Sequence, residues 1–332
     1  MGQFNLHLWQ GTLSRCTPYI LIGMIFIILI PMSTTYVMYL ATRMLIYALF
    51  AISLNLLFGY TGLFPLGHAA YLGLGGYTAG ILAVRLGIHS FWVIAPVSIL
   101  ITAVVAAIFG VIALQVRGLL FAFTTMALAQ LLVSIAIKWR SVTGGSDGLF
   151  GVPLPDLGIP GFSLTAITFY FLVLIIFVIC FFLMYRLIHS PFGLALQGIR
   201  DDEGRMAQLG YHVWLYQITA FIIAGAFGGV AGVLFVSCNG IVAPSNLAVP
   251  TSVMAVLMVI MGGTRIVYGP IVGAAGITVL ESICSIYAPE RWPLILGGVF
   301  VVTVMFIRGG ITAPIMNLSK RITLGSYGST KT

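Results

Sequence analysis

The sequence predicts an all-α, polytopic membrane protein of about ten transmembrane helices, and three observations carry that prediction. Hydrophobic residues make up 60% of the 332 residues and charged residues 7%, where a soluble domain carries roughly 25% charged residues. Mean hydropathy is +1.13. Charge-free runs follow one another along the chain, from 17 to 42, 44 to 84, 86 to 116, 118 to 137, 157 to 185 and 206 to 264; a helix needs about 20 residues to cross a bilayer core. The runs are continuous rather than short and alternating, so backbone groups in lipid are satisfied by helices rather than by a β-barrel.

Taken in order, the first crossing is expected at 19–35. Its apolar run begins at Pro18 and has no small-residue cleavage site before Pro31, so it reads as a retained span rather than a signal peptide. Crossings follow at 37–58, 66–84, 91–115, 118–137 and 164–185. The run from 206 to 264 is too long for one span and divides into 213–237 and 248–263. Shorter apolar runs supply 268–287 and 291–307.

The bias of basic residues toward cytoplasmic loops sets the orientation. With the N-terminus inside, Arg15, Arg117, Arg186, Arg200, Arg205, Arg265, Arg308, Lys320, Arg321 and Lys331 fall inside, against Arg43, Arg85, Lys138, Arg140 and Arg291 outside. Both termini are then cytoplasmic. The 332 residues form one transmembrane domain with a cytoplasmic loop at 188–211 and an outer loop at 141–163. The net charge of +8 is dispersed through loops and reads as an orientation signal, not a nucleic-acid surface. Cys16, Cys180, Cys238 and Cys284 are scattered without a CxxC pair, which favours packing over metal binding or disulfides.

The inner loop concentrates charge: Arg200, Asp201, Asp202, Glu203 and Arg205 lie within six residues. Ser190 can cap a helix with Pro191 in its first turn, and Phe192, Leu196 and Ile199 share one face. Asp201 or Asp202 can cap a second turn carrying Met206 and Leu209, which ends at Gly210, suited to a left-handed cap. An amphipathic piece of this kind is either a solvated loop helix or an element docked in the groove of a cytosolic partner.

Residues 55–82 (NLLFGYTGLFPLGHAAYLGLGGYTAGIL) combine seven glycines with Pro65, so a broken helix is expected. A second interruption is expected at 239–250 (NGIVAPSNLAVP). Such backbone is tolerated at membrane depth where it is buried or lines a wet cavity. Asn55, Thr61, His68 and Asn239 are therefore candidate path residues, with His68 open to a structural hydrogen bond as well as to substrate contact. Gly225, Gly228, Gly229 and Gly232, and Gly269 with Gly273, give the spacing of close helix packing. Arg43 and Glu281 lie inside predicted spans, and each needs a partner or an interfacial position. No phosphate loop, metal-ligand spacing or nucleophile elbow occurs. A secondary transporter needs coupling residues in its spans, where Glu281 is the one acid candidate, and an intramembrane enzyme needs convergent catalytic groups beyond His68.

The run EGRMAQLG (203–210) resembles the EAA-type loop of ABC importer permeases, and SPFGLALQGIRDDEGRMAQLGY as a whole resembles that of the LivM-type branched-chain amino acid permeases. Residues 55–82, VRGLLFAFTTMALAQ (116–130), TGGSDGL (143–149) and GGTRIVYGPIVGAA (262–275) match the same family in order. Pro65 and Arg265 depart from its usual residues. The resemblance implies a type II importer-like permease of the bacterial inner membrane, paired with a second homologous permease, two cytosolic ABC ATPases and a periplasmic binding protein. ATP and Mg would be used by the ATPases, with no cofactor bound by this chain. Arg200, Asp201, Asp202, Glu203, Arg205 and Gly210 would carry the coupling to the ATPases, with Asp201, Asp202 and Glu203 in the contact itself. The substrate implied is a branched-chain or related hydrophobic amino acid, with urea, short-chain amides or other amino acids as the alternative.

Overall fold

A computed structural model describes residues 35–158, 165–287 and 291–306. The expected first crossing at 19–35 falls outside the described residues except for Thr35, as do Arg15, Cys16, Arg308, Lys320, Arg321 and Lys331 and part of the 141–163 loop. Among the described residues, the regular structure is helical apart from one two-stranded ribbon and an isolated bridge between Ser90 and Asp156.

Helix α1 (Thr35–Asn55) runs on through a π turn, Leu56–Tyr60. The backbone then leaves helical geometry until α2 (Ala69–Gly80), which also ends in a π turn, Ile81–Arg85. Next come α3 (Phe91–Ala113), α4 (Leu119–Lys138) and the single turn α5 (Arg140–Thr143). Strand β1 (Leu149–Phe150) precedes α6 (Ala166–Ile188). The short helices α7 (Pro191–Asp201) and α8 (Glu203–Gln208) lead into α9 (Val213–Asn239). Strand β2 (Ile241–Val242) and a 3-10 turn at Pro244–Leu247 follow, then α10 (Val249–Gly262), α11 (Gly269–Tyr287) and α12 (Trp292–Phe306).

Among the described residues, six helices are long and apolar enough to cross a membrane: Thr35–Tyr60, Phe91–Ala113, Leu119–Lys138, Ala166–Ile188, Val213–Asn239 and Gly269–Tyr287. The expected crossings at 66–84, 248–263 and 291–307 coincide with shorter helices.

Helix α9 is the hub, packing on α3, α2 and α1. Its glycine face makes that possible, since helices in lipid associate by close van der Waals fit. A Cβ on Gly225 would strike Ala106 and one on Gly229 would strike Thr102, both on α3; one on Gly228 would press Tyr71 and one on Gly232 would overlap the Leu72 carbonyl, both on α2. Gly273 lets α11 approach the Met258 carbonyl of α10 in the same way.

Two ends of the bundle are distinguished by their contacts. Arg200 of α7 reaches Gly59 at the close of α1. At the opposite end the start of α1 meets the end of α11 through Tyr36 and Ser282, and the end of α9 through Tyr39 and Asn239. Helices α1 and α11 are therefore antiparallel.

Candidate functional site

The charged loop folds as the sequence-level capping argument expects. The Ser190 hydroxyl accepts from the Gly193 amide at 3.4 Å, with Pro191 in the first turn of α7. Leu196 and Ile199 are buried, and Phe192 stacks on Tyr216 of α9 with ring centroids 5.5 Å apart. Of the two candidate caps for the second helix, Asp202 is used: its Oδ1 accepts from the Arg205 amide at 2.9 Å. The chain leaves α8 through Gly210 at φ +86°, a left-handed conformation for which glycine is suited.

The charges divide into two groups. Asp201, Asp202 and Arg205 face solvent, and Arg205 pairs with Asp202 at 3.5 Å. Glu203 accepts from Arg117, in the link between α3 and α4, at 3.1 Å. Leu194 and Leu209 of the same loop are also exposed. Arg200 turns the other way, with its side chain 16% exposed. Its Nη1 donates to the Gly59 carbonyl at 2.6 Å, and its Nε and Nη2 donate to Asp201 Oδ1 at 3.2 and 2.9 Å. Those bonds hold the Asp201 carboxyl below the usual carboxylate range. The lowered value means the Arg200–Asp201 pair is intact at neutral pH and is lost only as pH falls through it.

Gly59 sits in a knot of three chain segments. A Cβ there would overlap the Thr264 carbonyl and Asn55 Oδ1, and one on Gly62 (φ +78°) would press into the stem of Arg200 at 2.6 Å. Asn55 Nδ2 donates to the Ile266 carbonyl at 3.3 Å, and the Tyr60 hydroxyl to that of Arg265 at 3.3 Å. The charged loop is thus bonded to the place where α1 breaks, and that place to the α10–α11 link.

Both expected interruptions are present, and they meet. Between Tyr60 and Ala69 the Leu66 amide donates to Thr125 Oγ1 at 3.1 Å, and Gly67 lies against the Thr125 carbonyl of α4. Past Asn239, Gly240 turns the chain at φ +69° into β2, which pairs antiparallel with β1, Leu149 opposite Val242. The Ala69 amide then donates to Ser252 Oγ at 2.8 Å, and Gly73 packs on Leu247.

The path candidates are not gathered at one place. Asn55, Thr61 and His68 are all buried inside the subunit. Thr61 Oγ1 donates to the Leu56 carbonyl at 2.8 Å; His68 Nε2 bonds Ser53 Oγ at 2.8 Å, with its ring between Phe50 and Tyr71. His68 therefore makes the structural hydrogen bond that was one of its two readings. Asn239 lies at the opposite end, accepting from the Tyr39 hydroxyl at 2.8 Å. Arg43 and Glu281, each expected to have a partner or an interfacial position, pair with each other across 238 residues of sequence.

Sequence reasoning missed Ser53, Thr125 and Ser252, which satisfy the broken backbone and its histidine. The one signal for them was a small hydroxyl within an apolar run, and such residues more often bond their own helix.

A family model described as "Branched-chain amino acid transport system / permease component" matches residues 36–307. The high-affinity branched-chain amino acid transport system permease protein LivM of Escherichia coli K12 is 28% identical over 293 residues, covering 82% of this chain and 68% of the relative. A probable branched-chain amino acid transport permease protein LivM of Methanocaldococcus jannaschii is 25% identical over 276 residues, 73% of this chain and 79% of the relative. The autoinducer 2 import system permease protein LsrC of Salmonella typhimurium is 25% identical over 263 residues, 74% of this chain and 72% of the relative. No solved structure matches.

Proposed function

The chain belongs to the family of permease components of branched-chain amino acid transport systems, and from that premise we propose that it is the membrane-spanning permease subunit of an ATP-driven importer of branched-chain or related hydrophobic amino acids. The match across residues 36–307 carries the reading, and the Arg200 link from the charged loop to the broken helix gives it a mechanism.

On this reading two cytosolic ABC ATPases, using ATP and Mg, dock on the 188–211 loop through Asp201, Asp202, Glu203 and Arg205, with Gly210 closing the element. This chain hydrolyses no ATP and holds no cofactor. A periplasmic binding protein delivers substrate on the side of the 141–163 loop, and both termini are cytoplasmic. A second homologous permease completes the pore in a type II arrangement with about ten helices per subunit. Closure of the ATPases displaces α7; Arg200 carries the displacement to Gly59, and helices rock as rigid bodies to open the path alternately to the two sides. Asn55, Thr61 and His68 lie near the moving break, and Asn239 lies toward the outer mouth.

The test is reconstitution of the complete complex in proteoliposomes with a loaded binding protein. Radiolabelled leucine, isoleucine or valine should accumulate only with ATP on the ATPase side. Uptake that follows a proton or sodium gradient without ATP would overturn the reading. A preference for urea or short-chain amides would overturn only the substrate.

A further inference from the structure

The pair Arg43–Glu281 is not used by the coupling mechanism. Arg43 lies two turns inside α1 and Glu281 in the second half of α11, at the end of the bundle away from α7. Arg43 Nη2 carries all the observed bonds: to Glu281 Oε1 at 3.1 Å, to Oε2 at 3.2 Å and to the Tyr47 hydroxyl at 3.3 Å. Arg43 Nε is buried with no hydrogen-bond partner among the described residues. The guanidinium lies 5.8 Å from the Tyr39 ring centroid and 5.4 Å from that of Tyr47. Tyr39 is itself fixed by Asn239.

A strut alone does not account for this. Helices α1 and α11 already pack along their length, and a well-packed apolar pair commonly holds two elements as well as a buried ion pair. The pair is also not sealed, with side chains 19% and 24% exposed. Partly exposed charge within a spanning helix is disfavoured against hydrocarbon and faces protein or water-filled space instead. A cation and an anion about 3 Å apart, with a free guanidinium donor and aromatic walls, complement the carboxylate and ammonium of an amino acid zwitterion. Such a ligand exchanges one internal ion pair for two external ones. The net gain is small, as a site on a path requires, since substrate must leave as readily as it enters.

We propose that Arg43 and Glu281, with Tyr39 and Asn239 beside them, form a transient station for the zwitterionic head of the transported amino acid on the outer half of the path. Arg43 receives the carboxylate through Nε and an adjacent Nη, and Glu281 the ammonium. The inference rests on the amino-acid importer reading above.

The experiment measures ATP-dependent uptake of radiolabelled leucine by the complete complex in proteoliposomes, for Arg43→Gln, Glu281→Gln and the exchange Arg43→Glu with Glu281→Arg. Leucine uptake by the unmodified complex reports on the importer reading; the ratio of each variant to it reports on the station. Each single variant should lower uptake at least tenfold while copurifying with the ATPases, and the exchange should not restore it. Uptake within twofold in the single variants, or recovery in the exchanged pair, overturns the proposal, because a strut tolerates exchange. Should the single variants fold poorly, the apolar pair Arg43→Met with Glu281→Leu removes both charges together. It should assemble yet transport less than a tenth as much leucine, and normal uptake by it overturns the proposal.

Discussion

On the proposed function, replacing Arg200 by Ala should separate docking of the ATPases from transmission of their motion. The substitution removes a charge-assisted hydrogen bond to the Gly59 carbonyl, the kind that contributes about 1.5–3 kcal/mol. The bond to Asp201 adds little, because that carboxylate is exposed and surface pairs contribute about 0–1 kcal/mol. Loss of the arginine stem also uncovers Gly62. A link weaker by about 2 kcal/mol shifts the balance between joined and separated α7 and Gly59 by about 30-fold. The solvent-facing groups Asp201, Asp202 and Arg205 are untouched. Arg200→Ala should therefore retain the ATPases through affinity purification and hydrolyse ATP, yet transport at least tenfold less substrate per ATP in proteoliposomes. Arg200→Lys, which can meet one acceptor but not both in the fork geometry of arginine, should fall between. Unchanged transport per ATP in Arg200→Ala would falsify the transmission argument. Loss of the ATPases from the purified complex would instead make Arg200 a docking residue.

Three further outcomes follow from the geometry. Replacing Asp201, Asp202 and Glu203 together by Lys reverses the exposed acidic face and breaks the contact with Arg117; copurification of the ATPases should drop or hydrolysis should uncouple from uptake, and normal uptake would refute the docking surface. Gly232→Ala forces a methyl into the Leu72 carbonyl, an overpacking that costs roughly 1–3 kcal/mol, and should lower the thermal unfolding midpoint in detergent; no shift would mean that α9 and α2 are less tightly apposed. Ser53→Ala strips His68 Nε2 of its partner and should destabilise by about 1–3 kcal/mol, whereas adding His68→Phe should recover most of that by removing both polar groups. A recovered fold with lost uptake would give His68 a substrate role instead.

What could be read from the sequence depended on the range of the interaction that fixes it. Ser190, Asp202 and Gly210 act within a turn of their own position, through a cap or a positive φ, so residue type and spacing placed the ends of α7 and α8, leaving only the choice between Asp201 and Asp202 to the structure. The two interruptions were legible because glycine and proline mark where a helix stops irrespective of what surrounds it. Their meeting was not legible: the Ala69 amide finds Ser252 Oγ 183 residues away, and nothing local to either residue specifies the other. Arg200 shows the same limit from the opposite side. By sequence it belongs with four neighbouring charges as one solvated island, since a helix of that pattern presents charge outward. The fold turns it inward while it keeps Asp201 as a partner, because the Gly59 carbonyl offers an acceptor and Gly62 leaves room for the arginine stem. Arg43 and Glu281 fall between these cases. The high cost of lone charge in lipid called for a partner or an interfacial position for each, but nothing in the sequence named one as the other's partner; the antiparallel packing of α1 and α11 supplies that pairing. Intramembrane charge thus signals from sequence that a partner or an interface is needed, because lone charge is costly in lipid, without saying which residue answers it.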